Sequence, residues 1–181
     1  MKGEGERTGE AAARAARVRL VALDVDGTLT DARLHIGRDG EAMKSFSVRD
    51  GFGLTLLREA GIRVALVTAR RSTIVEARAA ELRIEDVLQA VADKAQALQA
   101  LCGQRGVALS ECAFVGDDWP DLPAMAIAGL AATVADAPLE VRERAHWVST
   151  LRAGRGAVRE FAEFVLRAQG AFEPALARYA R

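Results

Sequence analysis

Asp24-Val25-Asp26-Gly27-Thr28 sets two carboxylates on either side of a valine, with a glycine directly after them. Farther along the chain come Thr68, Lys94 and Gly116-Asp117-Asp118, with Asp121 close behind. If these side chains meet, the acids cannot stand as a bare cluster. Two carboxylates about 4 Å apart repel by roughly 1–4 kcal/mol, depending on the local dielectric. A hard divalent cation relieves that repulsion. An all-oxygen site with few protein carboxylates suits Mg²⁺, which keeps several waters and shares a phosphate oxygen. Such a cation screens a negative nucleophile from a negative phosphate and polarises the phosphoryl group. Thr68 and Lys94 would then add donors to the remaining phosphoryl oxygens.

The elements around these residues predict that they do meet. The apolar run over 18–24 suits a strand buried on both faces and ends at Asp24. A helix is predicted over 51–60, stopped by Gly61, and then a strand over 62–68 that ends in Thr68. Thr73 and Glu76 have capping-box spacing at the start of the next helix. A weak strand at Val87 and Leu88 precedes a helix over 94–104, so Lys94 opens that helix. The strand over 112–116 runs into Asp117 and Asp118. Weaker strands over 131–134 and 147–148 flank a helix starting near Pro138, and a last helix spans 157–168. This alternation predicts an α/β fold: a parallel sheet covered by helices on both faces. The carboxyl ends of its strands would share one edge, where such sheets bind ligands.

One piece breaks the alternation. The stretch over 34–47 carries Gly37-Arg38-Asp39-Gly40 between two short flanks and reads as a β-hairpin. Residues 1–16 are small and charged and read as a mobile tail; the ordered domain is expected over 17–169, with the hairpin at about 33–47. The segment 170–181 is left as a C-terminal tail that could dock or stay loose.

Composition bounds the partners. With 25 Lys+Arg against 25 Asp+Glu, the chain lacks the basic footprint that nucleic acid or an anionic membrane surface requires. No apolar stretch is long enough to span a bilayer, and the start lacks a signal-type apolar core, so the expected compartment is the cytoplasm. Cys102 and Cys112 fit neither a metal pair nor a disulfide framework, and His35 and His146 are too few for a histidine metal site.

Taken together, Asp24-Val25-Asp26-Gly27-Thr28, Thr68, Lys94 and Gly116-Asp117-Asp118 with Asp121 resemble the four motifs of the haloacid dehalogenase superfamily, in order. The resemblance implies a Rossmann-like fold and a phosphatase. Asp24 would attack phosphorus and form an aspartyl-phosphate, and Asp26 would protonate the leaving alcohol and later activate water. Mg²⁺ would be held by Asp24, the backbone carbonyl of Asp26, and Asp117. Asp118 and Asp121 would help through water or outer hydrogen bonds. Lys94 would pair with Asp24 and the phosphate. Many superfamily members insert a cap domain; here the hairpin takes that place.

Within the superfamily the chain looks like the 3-deoxy-D-manno-octulosonate 8-phosphate phosphatases. The signatures are Lys44 with Phe46, Val48-Arg49-Asp50-Gly51, Thr68 with Arg70, Val75-Glu76 with Arg78, Val134-Ala135-Asp136-Ala137, and Gly154-Arg155-Gly156-Ala157-Val158-Arg159-Glu160. That resemblance implies a homotetramer whose hairpins help shape neighbouring pockets. It makes Arg70, Arg78, Arg155 and Gly51 candidates for binding a sugar acid phosphate, since arginine recognises carboxylates bidentately. The chain departs from the pattern where Ala69, Ala32 and Arg83 replace glycines and where Trp119-Pro120 follows the aspartate pair. The related acid 2-keto-3-deoxynononate 9-phosphate is an alternative substrate. A phosphosugar mutase would need a cap, and a non-catalytic regulator would normally have lost a motif residue.

Overall fold

The computed structural model describes residues 4–180. In chain order its elements are α1 (Glu4–Ala15), β1 (Leu20–Leu23), β2 (His35–Gly37), β3 (Gly40–Met43), α2 (Val48–Glu59), β4 (Arg63–Val67), α3 (Thr73–Glu81) and β5 (Asp86–Leu88). They continue with α4 (Lys94–Arg105), β6 (Cys112–Val115), α5 (Leu122–Ile127), β7 (Leu130–Thr133), α6 (Leu139–Arg144), β8 (Trp147–Val148), α7 (Ala157–Ala168) and α8 (Phe172–Ala177).

Six strands form one sheet in the order β5-β4-β1-β6-β7-β8. Every pairing in it is parallel. Successive strand residues point to opposite faces, and both faces are apolar. Val21, Leu23, Val64, Leu66, Ala113 and Val115 face α2, α3 and α7. Leu20, Ala22, Ala65, Val67, Cys112 and Phe114 face α4, α5 and α6. The stripe Val158, Phe161, Ala162, Val165 and Leu166 repeats at helical spacing and is fully buried. Each of its large side chains contributes about 1.5–3 kcal/mol by leaving water.

The topology places the chemistry. From β1 the chain moves outward through β4 and β5, then returns to the other side of β1 for β6, β7 and β8. The order therefore reverses between β1 and β6, which is where open α/β sheets form their ligand crevice. Leu23 stands level with Leu66 and Val115, so the segments bearing Asp24, Thr68 and Asp117 leave the sheet at one edge.

The hairpin is present: β2 and β3 pair antiparallel around Gly37 and Gly40. The helix after β4 is capped by Ser72 rather than Thr73, since the Ser72 hydroxyl accepts from the Val75 N–H at 3.3 Å. Glu76 instead accepts from the Gln89 amide.

The expected N-terminal tail is a helix over Glu4–Ala15. Ala11 and Ala15 are buried, and Arg14 donates to the Gly129 carbonyl at 2.7 Å. Alanine is a strong helix former, and a stripe of alanines buries without the bulky residues that mark a core face. Residues 1–3 of that segment and Arg181 lie outside the described residues. The C-terminal tail folds back on its own chain. It forms α8, and Tyr179 meets the Phe52 ring edge-on at 5.3 Å between centroids.

Candidate active site

The loop that follows Asp24 is wound about a single carbonyl. The amides of Thr28, Leu29 and Thr30 all donate to the Val25 oxygen, and Gly27 N–H donates to the Thr30 hydroxyl. Gly27 has φ of 101°, in the left-handed region. A side chain there would collide with the Asp117 carboxylate, because a Cβ would stand 2.1 Å from Oδ2. The glycine lets the acid after β6 approach the acids after β1.

Asp24, Asp26, Thr68, Lys94 and Asp117 line one cleft of about 330 Å³, together with Arg70, Asp118 and Asp121. Lys94, the first residue of α4, reaches 2.6 Å from Asp24 Oδ1 and 2.6 Å from Asp121 Oδ1. The other Asp121 oxygen accepts from the amides of Asp117 and Asp118. Both its oxygens are thus engaged, and Asp121 positions the other groups. Asp117 Oδ1 accepts from the Thr28 hydroxyl at 3.2 Å. The Thr68 hydroxyl accepts from the Arg70 amide, which leaves its O–H to donate into the cleft.

Carboxylate oxygens of Asp24, Asp117 and Asp121 lie within 4.8 Å of one another. Burial, with Asp121 adding repulsion and Lys94 opposing it, pushes Asp24 up to about 6. Burial, then the charges of Asp24 and Asp121, pushes Asp117 up to about 8. Burial alone would lower the Lys94 ammonium, but Asp24 and Asp121 outweigh it and hold its pKa above the ordinary value. One ammonium among three close carboxylates leaves the pocket short of positive charge, and every donor is oxygen. That is the environment a hard divalent cation fits. Asp24 and Asp117 would hold it by carboxylate.

Asp26 lines the same cleft. Its Oδ1 is ion-paired to Lys44, which also stands 2.7 Å from Glu41 Oε1. Glu41 in turn accepts from the Ser72 hydroxyl.

A haloacid dehalogenase-like hydrolase family profile matches residues 41–129. The 3-deoxy-D-manno-octulosonate 8-phosphate phosphatase of Haemophilus influenzae is 42% identical over 153 residues, covering 84% of this chain and 85% of that protein. The enzyme of the same name from Escherichia coli K12 is 39% identical over 171 residues, covering 94% of this chain and 91% of its own length. The chain belongs to the 3-deoxy-D-manno-octulosonate 8-phosphate phosphatase family. The family's structure from Moraxella catarrhalis, a complex with magnesium, phosphate and KDO, superposes with a TM-score of 0.92 at 38% identity, covering 94% of this chain and 98% of that one.

Against this family frame, the expected substrate residues divide. Arg70 lies at the cleft, half exposed, with its Nε 3.8 Å from Asp26 Oδ2. Arg78 lies outside the cleft of its own chain. It donates to the Ser47 carbonyl and to Glu81 and covers the Phe46 ring. Gly51 belongs to that same packing, since a Cβ there would meet Arg78 Nη2 at 2.2 Å. Arg155 is exposed and does not line the cleft. Arg78 and Gly51 pack against each other, and none of the three lines the cleft.

Two residues carried more than the sequence reading gave them. Asp121 is buried at the centre of the site, and Lys44 touches Asp26. A signal was available. Of the 25 Lys+Arg only Lys2, Lys44 and Lys94 are lysines, and both of those beyond the N-terminus are buried against carboxylates. A compact ammonium fits between two acids where a guanidinium would not.

Proposed function

We propose that this chain is a Mg²⁺-dependent phosphomonoesterase that converts 3-deoxy-D-manno-octulosonate 8-phosphate to the free sugar acid and phosphate, a step in lipopolysaccharide precursor synthesis. The observation that carries the reading is the meeting of Asp24, Lys94 and Asp117 in one cleft at the strand-order reversal, with Asp26 lining the same cleft. Relatives about 40% identical over most of the chain bear this activity in their names, and the Moraxella structure is described with magnesium, phosphate and KDO bound.

Asp24 attacks phosphorus; its new O–P bond forms as the ester P–O bond breaks. The departing oxygen takes a proton from Asp26. Water then gives a proton to Asp26 as its oxygen bonds to phosphorus and the Asp24 O–P bond breaks. Asp24 is regenerated and phosphate leaves. Asp24, the Asp26 carbonyl and Asp117 would hold Mg²⁺, which when bound would supply charge neutralisation and phosphoryl polarisation. Lys94 and Thr68 donate to phosphoryl oxygens, and Arg70 at the cleft offers a fork for the sugar carboxylate.

The insertion between β1 and α2 is a two-stranded hairpin, too small to exclude water from an aspartyl-phosphate, which favours hydrolysis over a mutase. Leu34, Ile36 and Met43 on or beside it are exposed, in keeping with a homotetramer built on the hairpins. Among the described residues no helix is long and apolar enough to cross a membrane, and both cysteines are free and buried, in keeping with cytoplasmic work. The deciding experiment is phosphate release, with and without Mg²⁺, from a panel containing the eight- and nine-carbon 2-keto-3-deoxy acid phosphates. Preference for the eight-carbon acid is expected; turnover independent of Mg²⁺ or preference for the nine-carbon acid would overturn the assignment.

A further inference from the structure

We infer that the pocket at the amino-terminal edge of β4 and β5 binds a small phosphate-bearing anion with two or more negative charges, at a site separate from the catalytic cleft. The inference goes beyond the phosphatase reading and does not depend on it.

The pocket measures about 270 Å³. It is lined by Arg58 from the end of α2, Gly61, Arg63 at the start of β4, and Arg83, Glu85 and Asp86 at the approach to β5. Strand β4 joins it to the catalytic cleft, because Thr68 follows the far end of that strand. The five residues of β4, at about 3.3 Å each, set the two sites about 16 Å apart along the strand.

Charge decides what such a pocket would hold. Among the described residues, Arg58, Arg63 and Arg83 make no ion pair with a carboxylate. Asp86 is taken instead by Arg105, whose Nε stands 3.0 and 3.1 Å from its two oxygens. With Asp86 set against Arg105 and Glu85 against the three lining arginines, two positive charges are left over. Guanidiniums gathered in one concavity raise the local potential and draw anions. Their planar forks fit phosphate oxygens bidentately.

The donors are partly set in advance. Arg58 Nη1 donates to the Leu82 carbonyl at 3.0 Å, which fixes its side chain between α2 and α3 and leaves its remaining N–H groups for a ligand. A Cβ at Gly61 would meet nothing within 4 Å, so the pocket is open on that side. Arg83 has φ of 55°, in the left-handed region that disfavours any residue with a Cβ. Glycine would sit there unstrained, so presenting this guanidinium at the pocket costs the free protein stability. A bound anion offsets that cost, and strained residues cluster at ligand sites for this reason.

Calorimetric titration of the full chain with methylenediphosphonate tests the site. The probe is not hydrolysed, and chelator keeps divalent cations out of the cleft, whose close carboxylates then repel an anion. At about 0.15 M salt the chain should bind the probe at a single site. Arg63→Gln and Arg83→Gly should each weaken binding by at least about tenfold. Arg142→Gln, exposed on α6, should leave it unchanged. Saturating methylenediphosphonate should also raise the melting temperature of the parent more than that of Arg83→Gly. No binding by the parent up to about 10 mM, unchanged affinity in either pocket variant, an equal rise in melting temperature, or equal weakening by Arg142→Gln would overturn the proposal. So would a loss on Arg70→Ala instead, which would place the anion in the catalytic cleft.

Discussion

Lys94 Nζ stands 2.6 Å from Asp24 Oδ1, so the ammonium that opens α4 lies against the proposed nucleophile. It is also the same distance from Asp121, 2.6 Å. Removing the ammonium leaves the buried carboxylates around it uncompensated, a loss of about 3–5 kcal/mol. Lys94→Met should therefore lower the melting temperature of the metal-free protein markedly. It should also cut kcat/KM by about 10²–10³, the loss typical of one preorganised donor. Thermal melts with steady-state kinetics check both, and wild-type kinetics in a folded variant would contradict the assigned role.

Asp24→Asn tests the nucleophile from the other side. The amide keeps the shape but cannot form an acyl phosphate that turns over. Turnover should be lost while the fold persists. The metal-free variant should be no less stable than the parent, since burial raises the cost of charging Asp24. Retained phosphate release would remove Asp24 from its role.

The pH response of the metal-free protein follows from Asp24 and Asp117. Burial and neighbouring acids raise them to about 6 and about 8, above their ordinary 3.8. Between those limits the folded state binds more protons than the unfolded chain, so stability falls as pH rises. That contribution is whole below the ordinary aspartate range and is lost through about pH 8. A divalent cation takes the deprotonated acids, so Mg²⁺ should bind more tightly across this window and release protons as it does. Melts in chelator and in Mg²⁺ at about pH 5.5 and 8.5 check this: the chelator curve should drop with pH and the Mg²⁺ curve should pull away from it. A chelator curve that climbs would contradict the raised acids.

Much of this site was legible because strand ends in a parallel sheet share an edge. Given β1, β4 and β6 as buried runs, the convergence of Asp24, Thr68 and Asp117 follows from topology. What was illegible depended on packing without a strong pattern. Helix α1 hides its buried face in Ala11 and Ala15. The resemblance points to Arg78 as a substrate residue, whereas its place against Ser47 and Phe46 depends on how the hairpin meets α3. Lys44 contacts Asp26 across 18 positions of sequence, through a hairpin whose docking angle no periodicity encodes.

Two departures from the family's glycines fall where the backbone needs them. Ala32 has φ of 63° and Arg83 of 55°, both in the left-handed region that costs side chains with a Cβ about 1–2 kcal/mol. Glycine removes that strain but adds freedom to the unfolded chain. Arg83→Gly and Ala32→Gly should each stabilise by a net of about 0.5–1 kcal/mol, a rise of a few degrees in melting temperature. Arg83 is exposed and remote from the cleft, so its substitution should leave kinetics unchanged. A fall in melting temperature would show that the arginine side chain contributes more than its backbone strain costs.

Arg70 and Arg78 offer the sharpest contrast. Arg70 is at the cleft and 54% exposed, whereas Arg78 is 15% exposed and holds Ser47, Glu81 and the Phe46 ring. Arg70→Ala should raise KM for the sugar acid phosphate by about tenfold or more, the worth of a lost charge-assisted contact. It should move p-nitrophenyl phosphate, which has no carboxylate, far less. Arg78→Ala should act first on stability, by about 1–3 kcal/mol, because the Ser47 carbonyl and Phe46 face lose their partner. Kinetics on both substrates and a denaturant titration separate the two. The contrast fails if Arg70→Ala slows both substrates equally, because the guanidinium would then be serving the phosphate end rather than the acid.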